Sequence, residues 1–208
     1  MPKTWSLMSR LLPASLMVVS MLGPAWAQQS PTVRIRGTIE AIDGSLLAVK
    51  SREGTEMKVR LTDNVAVFGV AKTAISEIKP GSYIGVSAMP EPDGTQKALA
   101  VQIFPESQRG VAEGFRPWDL RPNSTMTNAT VAETVAGTDG EIILVKYKDG
   151  EKKVVVPPDT PIVSFVAGDK SELKPGAKII IFSATRKEDG TLEAARVNVG
   201  RDGITPPM

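Results

Sequence analysis

Ser76-Glu77-Ile78-Lys79-Pro80-Gly81 recurs 95 residues later as Ser171-Glu172-Leu173-Lys174-Pro175-Gly176, and the reading of the whole chain turns on that recurrence. Around the hexamers, Val33 to Ile103 superposes on Ala129 to Val199 at an offset of 96 that slips to 95 near the middle. Upstream, Thr38, Asp43-Gly44, Val49-Lys50, Gly54, Val59, Asp63 and Val67 meet Thr134, Asp139-Gly140, Val145-Lys146, Gly150, Val155, Asp159 and Val163. Downstream, Asp93-Gly94-Thr95, Ala98 and Val101 meet Asp189-Gly190-Thr191, Ala194 and Val197. Turn residues and apolar positions recur together, which identifies two copies of one small unit.

Each copy reads as short strands punctuated by turns. Val33 to Ile42 alternates apolar with polar residues, turns at Asp43-Gly44 and returns as Leu46 to Lys50; Asp-Gly between two apolar runs is a strong hairpin signal because both turn positions demand positive φ. Glu53-Gly54 leads into Met57, Val59 and Leu61, and Val65 to Val70 continues. In the second copy Pro157-Pro158 ends the Val154-Val155-Val156 strand, since proline cannot donate to the ladder. Ser76 to Lys79 and Ser171 to Lys174 are predicted as one helical turn each, capped by the serine hydroxyl and stopped by Pro-Gly. Tyr83 to Ala88 and Gln96 to Phe104, mirrored by Lys178 to Ala184 and Leu192 to Val199, close each copy. The predicted fold class is all-β: two tandem small antiparallel β-barrels of OB-like architecture, each with one short helical turn. Residues 32–104 form the first barrel, 105–128 an inter-domain linker, 129–200 the second barrel and 201–208 a C-terminal tail.

Residues 1–27 read as a signal peptide. Lys3 and Arg10 are their only charges, an apolar stretch runs from Leu11 to Leu22, and Ala25-Trp26-Ala27 supplies the small-x-small pattern after which cleavage is predicted. The stretch is interrupted by Pro13 and falls short of the roughly 20 residues that span a bilayer. The predicted location is therefore the periplasm, with no transmembrane segment left after cleavage.

Charge and composition exclude several functions. The chain has 25 Lys plus Arg and 23 Asp plus Glu, and removing Lys3 and Arg10 leaves 23 of each sign. Nucleic-acid binders need clustered cations to displace counterions, and no segment here is a basic patch, so no nucleic-acid partner is expected. With no Cys and no His, disulfides, thiol nucleophiles, Ser-His-Asp triads and His-ligated metals are out of reach. The Ser-x-x-Lys spacing of Ser76/Lys79 and Ser171/Lys174 resembles that of serine acyltransferases, but those need a long buried helix, and here Pro-Gly follows at once. Asp63 and Asp159, or Asp43 and Asp139, read as turn residues; no Asp-x-Asp-x-Asp-Gly calcium loop occurs, and neither cofactor nor metal is expected.

Residues 105–128 are the least generic part of the chain. Gly114-Phe115-Arg116-Pro117-Trp118-Asp119-Leu120-Arg121-Pro122 carries the one Trp downstream of Ala27, whereas a flexible linker lacks large apolar groups. Phe115, Arg116, Trp118, Asp119 and Arg121 are the candidate ligand or partner site, because Trp and Arg stack on planar ligands or glycans and Arg forks a carboxylate. The alternative is structural: Phe115 and Trp118 pack the linker between the barrels, with Arg116 or Arg121 paired to Asp119. Asn123-Ser124-Thr125 and Asn128-Ala129-Thr130 read as turns.

The run of Gly-Thr-Ile, Asp-Gly, apolar-Val-Lys, Ser-Glu-Ile-Lys-Pro-Gly and Asp-Gly-Thr, with the Pro-Trp-Asp-Leu linker and the closing Arg-Val-Asn-Val-Gly-Arg-Asp-Gly, resembles a family of small exported bacterial β-domain proteins of unknown function. It is similar to alphaproteobacterial proteins that often carry the label of metal ABC transporter permease, a label at odds with a chain whose one apolar stretch is a signal. The resemblance implies an OB-like barrel and a periplasmic setting and brings no catalytic residue. The expected function is that of a non-enzymatic periplasmic binding or interaction protein whose partner is an envelope protein or glycan. The alternative is a soluble accessory component of an envelope metal ABC transport system. A hydrolase built on carboxylates or Ser/Lys ranks last.

Overall fold

The computed structural model describes residues 32–138 and 140–208; the signal peptide expected at 1–27 and the Asp139 position lie outside them. The first copy contributes β1 (Thr32–Asp43), β2 (Leu46–Ser51), β3 (Glu56–Lys72), β4 (Tyr83–Pro90) and β5 (Gln96–Ile103). A short β6 (Gly114–Pro117) lies between the copies. The second copy contributes β7 (Thr125–Gly137), β8 (Gly140–Tyr147), β9 (Gly150–Val156), β10 (Ile162–Ala167), β11 (Lys178–Arg186) and β12 (Leu192–Gly200). The chain is all-β apart from single 3-10 turns, and no helix among the described residues is long and apolar enough to cross a membrane.

Hydrogen-bonded pairings close into rings that do not follow the repeat boundary. β1, β2 and β3 form a meander, β11 pairs with β1, β12 pairs with β11, and β12 runs parallel to β3, closing a five-stranded barrel. A second circuit runs β4, β5, β9, β8, β7 and back to β4, its parallel β5–β9 junction resting on Gln96↔Val154 and Lys97↔Val155. Each ring takes three strands from one copy and two from the other. The division expected between a barrel of 32–104 and one of 129–200 thus does not describe the pairing, nor is either ring wholly antiparallel. The cores agree: Ile35, Ile39, Leu47 and Val59 pack with Ile179, Ile181, Leu192 and Val197, and Ile84, Val86 and Val101 pack with Ala129, Val131, Ile143 and Val154.

The reason lies in β3. β3 is one continuous strand of 17 residues from Glu56 to Lys72, and at ~3.3 Å per residue it reaches up to about 55 Å, far enough to leave the first ring and pair with β10, which in turn pairs with β5 of the second. Asp63, expected in a turn, sits inside this strand and its carbonyl accepts from Lys170 Nζ at 3.0 Å. In the second copy Pro157-Pro158 splits the same path into β9 and β10, as the sequence predicts. β3 and β10 then pair antiparallel, Val70 opposite Phe165 and Phe68 opposite Ala167.

Two local expectations need correction. The bulges that mark the first strand of each copy fall between Ile39 and Ala41 and between Val131 and Glu133, an offset of 92, not 96. The β7–β8 hairpin is four residues longer than β1–β2, so the match of Thr38 with Thr134 is coincidental and Thr38 corresponds to Thr130. The 3-10 turns, Ile75–Glu77 and Lys170–Glu172, are also not capped by serine, because Ser76 and Ser171 lie inside them. In the second, Asp169 accepts from Ser171 N at 2.8 Å while Glu172 accepts from Asp169 N at 3.0 Å, a capping box; in the first, no side chain caps Ala74. The Asp-Gly-Thr hairpins form as predicted, Thr95 and Thr191 each donating N–H and hydroxyl to Asp93 and Asp189.

Candidate functional site

The segment between the copies is folded. It makes a 3-10 turn over Glu106–Gln108, adds β6 to the edge of β7, and reverses through Arg121 to Ser124 with Asn123 at φ 62°. The Val111 carbonyl fastens it to the second ring, accepting from Tyr83 Oη and Asn128 Nδ2, both at 3.1 Å. Asn128 is therefore a buried strand residue, not the turn residue its sequence context predicts, whereas Asn123 does occupy a turn. Burial raises the Tyr83 hydroxyl to about pH 12, so it stays a donor throughout the physiological range. Ala112 takes a left-handed φ of 49°, and its carbonyl accepts from Arg116 Nη1 at 2.8 Å. A non-glycine residue held there costs on the order of 1–3 kcal/mol and persists only where its neighbours fix it.

Strand alternation in β6 then sorts the five residues singled out in the sequence. Phe115 points away and is 40% exposed, with Lys152 Nζ 4.5 Å from its ring centroid, so it packs nothing between the rings. Arg116 and Trp118 point inward. The Arg34 guanidinium stacks 3.6 Å from the Trp118 ring centroid, with Arg116 at 5.5 Å, Arg36 at 5.9 Å and the Phe182 ring at 6.3 Å. Asp119 pairs with neither Arg116 nor Arg121; it binds Arg34 at 2.6 Å and Arg36 at 2.7 Å, both from β1. Partial burial works to raise the Asp119 carboxyl, and the hydrogen bonds and charges of Arg36 and Arg34 overcome this and hold it below the usual carboxylate range. Arg121 contributes its backbone, donating to and accepting from Ser124 Oγ. Arg36 also donates to the Met208 carbonyl, and the Met208 side chain is buried against Ala100, Met126 and Ile180, drawing the 201–208 tail between the rings.

Trp118 and Arg116 roof a cleft of about 560 Å³ between the outer faces of the rings. Phe104, Phe165, Phe182 and Met126 give it apolar walls, with Arg34, Arg196 and Glu193 on the first ring's side. Five buried polar side-chain atoms that have no hydrogen-bond partner belong to residues lining this one cleft: Arg34 Nε, Gln102 Oε1, Gln108 Nε2, Trp118 Nε1 and Asn128 Oδ1. Gln102, Gln108 and Asn128 are each under 5% exposed, where an unpaired polar group costs about 1–3 kcal/mol. Gly85 makes room for two of them: it pairs with both Gln102 and Asn128, and a Cβ there would lie 2.7 Å from Gln102 Nε2 and 2.9 Å from Asn128 Oδ1. Sequence reasoning missed Gln102, Gln108 and Asn128 because single uncharged amides in strands and turns carry no spacing signal.

These features define a class: an all-β protein whose strand-sharing rings enclose a small-molecule-sized cleft, aromatic inside and lined by more guanidinium than carboxylate. No family model, curated protein or solved structure matches the chain. Among the described residues no three acidic side chains converge as metal ligands would.

Proposed function

We propose that this chain is a non-enzymatic, exported binding protein of the bacterial periplasm that takes a small ligand into the cleft under Trp118. The observation that carries the reading is a cleft of about 560 Å³ whose aromatic walls, Phe104, Phe165 and Phe182, meet Arg116 and Arg196, two guanidinium groups with no carboxylate partner among the described residues. A concave, largely apolar space with a few charged groups on its lining is the usual form of a small-molecule site. The left-handed Ala112 beside it fits the same view, since backbone strain collects at binding sites. Each ring, with its meander, its parallel junction and its single turn before the last two strands, is read as an OB-type barrel; that architecture binds oligomeric ligands on a face, which is analogy and adds little about the ligand. The likeness to small exported bacterial β-domain proteins is part of the same proposal.

Trp118 emission tests it. In the form that starts at Gln28, Trp118 is the sole indole, and its emission should shift or quench on titration with peptidoglycan fragments, glycans or small organic anions. An indole that responds to none of these, together with uptake of a ligand that Trp118→Leu leaves unchanged, would place the function elsewhere.

A further inference from the structure

The balance of groups in the cleft specifies its ligand more closely, on the proposal that the cleft is the binding site. Arg34 is already engaged: it shares the Asp119 carboxylate with Arg36, and Trp118 covers its face. Glu193 is likewise committed, to Lys187 at 2.7 Å. Arg116 and Arg196 remain. Arg116 donates to the Ala112 carbonyl and Arg196 to Gln108 Oε1 at 3.5 Å, and among the described residues neither has a carboxylate partner. Two uncompensated guanidinium groups in a partly desolvated cleft attract an anion, and their planar forks match a carboxylate.

Beneath them the walls change character. Phe104, Phe165 and Phe182 stack edge to face or tilted, with centroids 5.8 Å and 6.2 Å apart in sequence, and Met126 lies beside them. A hydrophilic acid such as a sugar acid would leave this surface wet, whereas a hydrocarbon or aryl body would bury against it. We infer that the ligand is an amphipathic organic carboxylate: its head on Arg116 and Arg196, its apolar body among Phe104, Phe165, Phe182 and Trp118. Aliphatic and aromatic acids share this chemistry, and the aromatic walls serve either.

Calorimetric titration of the protein with four probes decides the matter. Laurate and 2-naphthoate carry head and body, 2-naphthalenemethanol carries only the body, and galacturonate carries only a hydrophilic acid. Laurate or 2-naphthoate should bind at least tenfold more tightly than either control, and which of the two binds tells an aliphatic from an aromatic ligand. Arg116→Gln and Arg196→Gln should each weaken the acid at least fivefold while leaving 2-naphthalenemethanol unchanged, which also shows that the variants fold. Equal binding of 2-naphthoate and its alcohol, preference for galacturonate, or no binding of either amphipathic acid overturns the inference. Binding of galacturonate or a glycan fragment that Trp118→Leu abolishes would overturn it while leaving the cleft as the binding site. Acid binding unaffected by Trp118→Leu, Arg116→Gln and Arg196→Gln would overturn both.

Discussion

At the scale of single residues, Asp119 and Tyr83 hold the linker over the cleft in opposite ways. Asp119 has a folded-state pKa below its unfolded value, so its contribution is full above about pH 4 and is lost as pH falls toward the depressed value. Trp118 emission should therefore change on acidification below about pH 4 before the rings unfold, and Asp119→Asn should remove that step. Tyr83 is the reverse case: its pKa is raised to about 12 against an unfolded value near 10, so stability falls as pH rises through 10 and levels off near 12. Tyr83→Phe keeps the packing, loses the bond to Val111, and should cost about 1 kcal/mol in denaturant unfolding while flattening the alkaline limb. Gly85→Ala drives a methyl into Gln102 and Asn128; overpacking of this kind costs about 1–3 kcal/mol, and ligand binding should weaken with it. Of the five linker residues the sequence singles out, Arg116 and Trp118 reach the cleft and Phe115 does not, because a period of two in β6 selects alternate side chains and its phase is fixed only by pairing with β7. Asp119 found its partners on β1, far away in sequence, which spacing within the linker cannot reveal.

At the scale of elements, turn chemistry was the most legible part of the chain and capping the least. Gly44, Gly54, Gly94 and Gly190 all take positive φ at predicted turns, but Asp43, Glu53, Asp93 and Asp189 before them do not, so the expectation that both turn positions demand positive φ holds for the glycines alone. The serine caps failed because a three-residue 3-10 turn is set by the residue just before it. Asp169→Ala should accordingly lower the denaturation midpoint and Ser171→Ala should leave it nearly unchanged, measured by chemical denaturation. β3 offers a second test. Its register against β12 breaks between Leu61 and Ala66, whereas Val67 is paired on the ladder. Val67→Pro should cost about 3 kcal/mol or more and Asn64→Pro distinctly less.

At the scale of the whole molecule, the all-β class and the two copies were readable because periodicity and turns are local, but which copy completes which ring is not a local property. Nothing in the apolar pattern of β4 or β11 says whether it returns to its own copy or crosses; the unbroken length of β3 is the one hint, and it is weak without knowing the height of a ring. The exchange has a direct test. A protease site introduced at the exposed turn around Asn123, once cut, should leave two fragments that elute together at native size and separate only in denaturant. Two tandem barrels would instead part into folded halves.

Strand sharing also sets a timetable for biosynthesis. A chain that emerges N-terminus first has delivered every strand of the second ring once Val156 has emerged. The first ring, although it begins the chain, lacks its closing strand until Gly200 arrives. β1, β2 and β3 must wait as an open meander with unpaired edges while the middle of the molecule assembles, which is the interval in which they are exposed to aggregation and to any chaperone that guards it.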